Sequence, residues 1–189
     1  MDVQTTVSAL SAKPLPVLKG KAVFLRPFEA ADITADYMGW LNDPETMRFS
    51  NQRFIRHSQA NCEQYLIGFK GSSNHFLSIR LQDNDVAVGT ATAYVSTPHG
   101  TVDLGILVGE RRLWGRGIGL DAFKTLVEWW LHQPGIRKVT AGTLAANVGM
   151  VNLALRAGLH LEAVRRAQEL VDGQAVDMHY FARFADADT

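Results

Sequence analysis

The alternation of apolar and polar residues predicts a first strand at Ala22-Val23-Phe24-Leu25-Arg26-Pro27-Phe28, ended near its proline. From Glu29 to Leu41 the period lengthens. Ile33, Tyr37, Trp40 and Leu41 recur at helical spacing, and Asn42-Asp43-Pro44 closes that helix because the residue before proline disfavours helical geometry. A second helix is predicted after Ser58 as cap, with Cys62, Tyr65, Leu66 and Phe69 on one face and Gly71-Ser72-Ser73-Asn74 at its end. Three strand-like runs follow, at 75–81, 86–96 and 102–109. Asp83-Asn84-Asp85 and Pro98-His99-Gly100 separate them as turns, so the runs form an antiparallel meander. Gly117 to His132 is the clearest helix, with Ile118, Ala122, Leu126, Trp129 and Trp130 on one face and Pro134-Gly135 beyond its end. A strand over 137–143, a helix from Asn147 to Ala157 and two strands over 161–169 and 176–184, turning at Asp172-Gly173, complete the chain.

This order predicts an α/β (α+β) layer structure, with a mixed, largely antiparallel sheet of about seven strands flanked by about four helices. Residues 1–20, with Pro14, Pro16 and Gly20, read as a mobile lead-in; 21–184 read as a single domain and 185–189 as a tail. Composition narrows the classes of function. The 189 residues carry 19 basic and 19 acidic side chains, so no global basic field favours nucleic acid or anionic membrane. The N-terminus lacks a secretory pattern, and nowhere do about 18 apolar residues run together. The lone Cys62 has no internal partner. A cytoplasmic protein, monomer or homodimer, is expected.

The most informative segment is Trp114-Gly115-Arg116-Gly117-Ile118-Gly119, between a strand and the longest helix. Glycines at alternate positions let the backbone approach a ligand closely, and a helix start offers unpaired N–H groups at the positive end of its dipole. Together they suit a phosphate or pyrophosphate, with Arg111, Arg112 and Arg116 adding charge. Leu120 stands where a dinucleotide fingerprint needs glycine, and no Gly-Lys-Ser/Thr follows as a P-loop requires. The plainer alternative is a tight strand-to-helix turn.

Strand, glycine turn and helix resemble the acetyl-CoA-binding motif of the GNAT acetyltransferases, Gln/Arg-x-x-Gly-x-Gly/Ala, with Trp114 at the first position. Asn147-Val-Gly-Met-Val-Asn152-Leu-Ala-Leu-Arg156-Ala-Gly158-Leu159 is similar to the family's Asn…Lys-x-Gly-Phe segment beside the pantetheine arm. Arg26-Pro27 and Trp40-Leu41-Asn42-Asp43-Pro44 resemble the branch of ribosomal-protein N-terminal acetylases and amino-sugar acetylases. The resemblance implies acetyl-CoA as co-substrate, held by Leu107, Val108, Arg112, Gly115, Arg116, Gly117, Ile118, Gly119, Asn147 and Asn152. It further implies that strand 102–109 splays from its neighbour near Leu107–Gly109, and that the Val108 N–H polarises the thioester carbonyl.

Acetyl transfer consumes a neutral amine, so a general base is sought. Asp103 is the candidate, at a strand position where some family members carry a catalytic glutamate; alternatively it is a solvent-facing carboxylate near a turn. The family's tyrosine acid would fall at position 154, occupied by Ala154. Tyr94 and Ser96 are candidates to line the cleft. Arg48, Asn51 and Arg53 belong to a polar run that either recognises an anionic acceptor or is a solvated loop. The six histidines show no metal-ligand spacing; His99, at a hairpin tip, and His75, at a strand start, read as structural, with proton transfer as the alternative for each. Four functions remain in view: acetylation of a small-molecule primary amine, such as an amino sugar or nucleotide-linked amino sugar; acetylation of a ribosomal-type protein N-terminus; a catalytically silent coenzyme A-binding module; and a nonenzymatic nucleotide-binding domain.

Overall fold

The computed structural model describes residues 15–185. Eight strands form one sheet: β1 (Leu18–Lys19), β2 (Val23–Pro27), β3 (His75–Leu81), β4 (Ala87–Ser96), β5 (Thr101–Val108), β6 (Lys138–Leu144), β7 (His160–Val171) and β8 (Gln174–Phe184). Their spatial order is β1-β2-β3-β4-β5-β6-β8-β7. Every pairing is antiparallel except β5 with β6. Five helices flank the sheet among the described residues: α1 (Ala35–Asn42), α2 (Pro44–Met47), α3 (Gln59–Ile67), α4 (Ile118–Leu131) and α5 (Val148–Arg156).

Strand alternation divides the apolar residues between two faces. Leu77, Ile79, Val102 and Leu104 join Phe123, Leu126 and Trp130 of α4, with Ala154 of α5, in the larger core. On the other face Phe76 packs with Phe28, Tyr37, Leu41, Met47 and Cys62 under α1 and α3. The sheet thus separates the glycine turn's helix from the first two helices.

Two expectations are corrected. The helix predicted from Glu29 to Leu41 is broken, because Ala30–Asp32 forms a separate 3-10 turn and α1 starts only at Ala35. Asp32 is buried and turned to Arg26 (2.7 Å) and Arg80 (3.0 Å), and the Thr34 hydroxyl accepts from the Tyr37 N–H to start α1 afresh. The lead-in expected over 1–20 lies outside the described residues up to 14. From Leu15 onward it is packed: Leu15 and Leu18 are buried and β1 pairs with β2. The Asp121 carboxylate fixes this start by accepting from the N–H groups of Lys21, Ala22 and Val23 at 2.7–3.1 Å.

Candidate active site

The glycine turn has the backbone its sequence predicts. Gly115 and Gly117 have φ of 73° and 83°, in the left-handed region that favours glycine, and a Cβ at either would meet nothing within 4 Å. Gly117 is the N-cap of α4 and offers no side-chain acceptor, so the first amides of this 14-residue helix remain available beside an open surface. Gly119 serves packing instead. A Cβ there would stand 3.1 Å from Val108 and 3.2 Å from Leu153, so its absence lets α4 start close against β5 and α5.

The arginines divide. Arg112 forks onto Glu110 (2.9 and 3.0 Å) and Arg111 reaches Asp43 at 3.6 Å, whereas Arg116 enters no ion pair among the described residues. Trp114, 43% exposed, donates its indole N–H to the Val108 carbonyl at 2.7 Å, so the side chain at this position ties the turn to the end of β5.

Beyond that turn β5 parts from β6. Parallel pairing covers only Thr101, Val102 and Asp103, against Lys138, Val139 and Thr140. The separation therefore begins at Leu104, ahead of the Leu107–Gly109 predicted. Gly109 and Glu110 both donate to the Val88 carbonyl (2.9 and 3.2 Å), a β-bulge that bends β5 at its end. Since Gly109 bonds toward β4, antiparallel alternation turns the N–H and C=O groups of Val108 and Ile106 the other way, into the gap beside β6. Gly109 also admits the Trp40 ring, which a Cβ would approach to 2.0 Å. The gap, the bulge and the helix start form one continuous channel wall.

On the α1–α3 face, a cleft of about 380 Å³ borders the same half of β5. Thr90, Thr92, Gly105 and Leu107 form its sheet side; Tyr37, Leu41, Met47, Cys62, Tyr65 and Phe76 form its apolar wall; Ser50, Gln52, His57 and Asn61 add polar groups. The aromatic wall is braced. Phe76 stacks on Phe28 (4.3 Å between centroids) and Phe69 (5.3 Å) and meets Tyr65 edge-on at 5.3 Å. Burial pushes the hydroxyls of Tyr37 and Tyr65 well above the ordinary tyrosine range, and raises the Cys62 thiol.

Asp103 lies on the cleft's face of β5, two residues from Gly105, directly opposite Tyr94. Desolvation by the surrounding protein raises its pKa, while the Thr140 hydroxyl, donating to Oδ1 at 2.6 Å, opposes that rise. The residue keeps substantial solvent contact, which screens the effect. Tyr94 and Tyr65 join their hydroxyls at 3.0 Å, linking α3 to β4, the strand paired with the one that carries Asp103.

Several candidates stand elsewhere. Arg48 pairs with Asp172, Asn51 with Glu169, and Arg53 with the Leu170 carbonyl, all at 2.9–3.2 Å. These side chains fasten their loop to the β7–β8 hairpin, and the loop's Ser50, Gln52 and His57 face the cleft in their place. Ser96 ends β4 beyond the cleft, which reaches only Thr92 on that strand. His99 sits at the same far end, its carbonyl held by Arg137 at 2.8 Å. His75 faces the opposite core, beside Trp130. Asn147 caps α5 by accepting from the Met150 N–H, Asn152 is exposed on that helix, and Ala154 is fully buried beneath it. Gln52 belongs to the polar run expected at the acceptor side, whereas Tyr37 and Tyr65 carry only a helical spacing that equally describes core, and His57 carries no signal in the sequence.

The open helix start, the glycine cradle and the splayed strand define a site for a phosphate-bearing, extended ligand, as coenzyme A is. The Acetyltransferase (GNAT) domain model matches residues 22–160, and the chain belongs to this family. It is 19% identical to the probable N-acetyltransferase YjcK of Bacillus subtilis (strain 168), over 83% of this chain and 91% of that protein. The fold is similar to RimL, a ribosomal L7/L12 alpha-N-protein acetyltransferase in complex with coenzyme A (TM-score 0.79, 18% identity, 92% of this chain and 100% of that one). It is also similar to spermidine N-acetyltransferase from Vibrio cholerae in complex with CoA and spermine (TM-score 0.76, 14% identity, 87% and 96%). The chain is thus an acyltransferase of the GNAT class with acetyl-CoA as its co-substrate. Among the described residues no helix is long and apolar enough to cross a membrane.

Proposed function

We propose that this enzyme transfers acetyl to the primary amine of a small molecule bound in the cleft between the first helices and β4–β5. The observation that carries this reading is shared geometry: Gly105, Ile106 and Leu107 line the cleft, and the same stretch of β5 borders the gap beside β6. An acceptor amine and a thioester would therefore meet across one strand.

In this reading the first amides of α4, with Gly115 and Gly117 clearing the way and Arg116 adding charge, hold the pyrophosphate. Bound acetyl-CoA supplies an acyl carbon that the amine attacks, with coenzyme A leaving as its thiolate. The Val108 N–H donates to the carbonyl oxygen as negative charge develops there. Leu107 lines the cleft side of this point, and Asn147 and Asn152 flank the pantetheine side on α5. Asp103, on the cleft's face of β5, is the base for the amine's proton, which reaches it through water. With Ala154 buried, no tyrosine hydroxyl is available from α5, and the thiolate is protonated from solvent.

The nucleotide-linked amino-sugar acceptor loses support, since Arg48, Asn51 and Arg53 are occupied by the hairpin. A protein N-terminus remains the second reading, favoured by the likeness to RimL. The decisive experiment pairs acetyl-CoA binding by calorimetry with thiol release across a panel of amines. Gly117→Glu, which forces a side chain and a negative charge into the cradle, is expected to abolish binding; unchanged affinity would refute the pyrophosphate site.

A further inference from the structure

Resting on the reading that the cleft receives the acceptor, we infer that the acceptor is a monoamine with an uncharged, largely apolar body, of the arylalkylamine class. The argument is electrostatic. None of the side chains lining the cleft is a carboxylate, an ammonium or a guanidinium. On the loop that borders the cleft, Arg48 and Arg53 are turned to Asp172 and to the Leu170 carbonyl and Arg56 is not among the lining residues, while Asp103, paired with Tyr94 in the sheet, also lies outside the lining.

A polyamine carries several ammonium groups, and all but the reacting one would enter such a cleft without a counter-ion. A sugar phosphate would bring a dianion with no cation to meet it. Both lose solvation without compensation. A single ammonium fares better. The exposed ring of Tyr65 tolerates it on approach, and partial desolvation then lowers its pKa, favouring the neutral amine that reacts.

The walls also have the shape for such a guest. Phe76 is held by neighbours at 4.3–5.3 Å, so the aromatic surface is rigid and loses little freedom when a ring packs on it. At the other end the polar groups of Ser50, Gln52 and His57 can meet a phenol or similar polar substituent. A volume of about 380 Å³ suits one ring with a short amine-bearing chain.

The test compares kcat/KM, read as thiol release from acetyl-CoA, for phenethylamine, tyramine, spermidine, an amino-sugar phosphate and a short peptide with a free N-terminus. Arylalkylamines are expected to exceed each of the others at least about tenfold, the discrimination that one uncompensated charge supplies. Gln52→Glu, an exposed substitution on the cleft wall, is expected to shift the ratio toward spermidine. A preference for spermidine, the sugar phosphate or the peptide overturns the inference and leaves acetyl transfer standing. Acetyl-CoA binding with no thiol release to any amine overturns both. An unchanged ratio in Gln52→Glu removes the acceptor from this cleft.

Discussion

Lowering the pH should weaken the fold through one buried side chain, His75, independently of catalysis. His75 begins β3 on the α4 face, only 9% exposed, with its ring 5.6 Å from that of Trp130. Its Nε2 and the Trp130 Nε1 are buried without a hydrogen-bond partner among the described residues. Desolvation lowers its pKa from 6.5 to about 4, since nothing nearby stabilises an imidazolium. Between these values the unfolded chain binds a proton that the native state refuses, so stability rises with pH. The contribution is intact above pH 6.5 and is lost as pH falls toward 4. Over the full window the loss is about 3 kcal/mol, and at pH 5 it is about 2 kcal/mol. In a chain of this size that lowers Tm by roughly 4–8 °C at pH 5. Urea titrations of the wild type and His75→Phe at pH 7 and pH 5 isolate the effect, because the shared carboxylates cancel in the double difference. A wild-type loss no larger than the variant's would refute the reasoning.

Four further outcomes follow from the site and its supports. Asp103→Asn should remove the acid limb of the kcat/KM profile, which lies above the ordinary aspartate range because desolvation raises this carboxyl; an unaltered profile removes Asp103 as base. Asp121→Ala leaves three backbone N–H groups to water and should cost about 1–2 kcal/mol, with faster hydrogen exchange confined to Lys21–Val23. Gly109→Ala places a Cβ 2.0 Å from the Trp40 ring and should destabilise by about 1–3 kcal/mol while changing tryptophan fluorescence. Trp114→Phe breaks the bond to the Val108 carbonyl and should raise the KM for acetyl-CoA with less than about 1 kcal/mol lost in stability.

Local chemistry made part of this protein legible in its sequence. Gly115 and Gly117 announce left-handed backbone, Asn147 and Gly158 bracket α5, and alternation fixes β3 to within its observed ends, because each depends on neighbours in the chain. The glycine turn and the start of α4 form one such contiguous run, which is why their backbone could be read. The acceptor end is not contiguous. Tyr37, Tyr65, Phe76, Thr92 and Leu107 meet only because the sheet lays β3, β4 and β5 side by side beneath α1 and α3. Their helical and strand spacing describes a buried face equally well.

Tertiary contacts also reassigned residues whose chemistry looked available. Arg48 and Arg53 carry charge fit for an anion, and the β7–β8 hairpin, more than a hundred residues away, claims it. Asp103 gains its raised pKa from desolvation and its orienting bond from Thr140, neither of which strand periodicity encodes. Sequence alone determined where a glycine turn leaves backbone amides open at a helix start, since backbone conformation is a local property. Only the fold decided which side chains line the cleft, because that depends on distances between segments the chain keeps far apart.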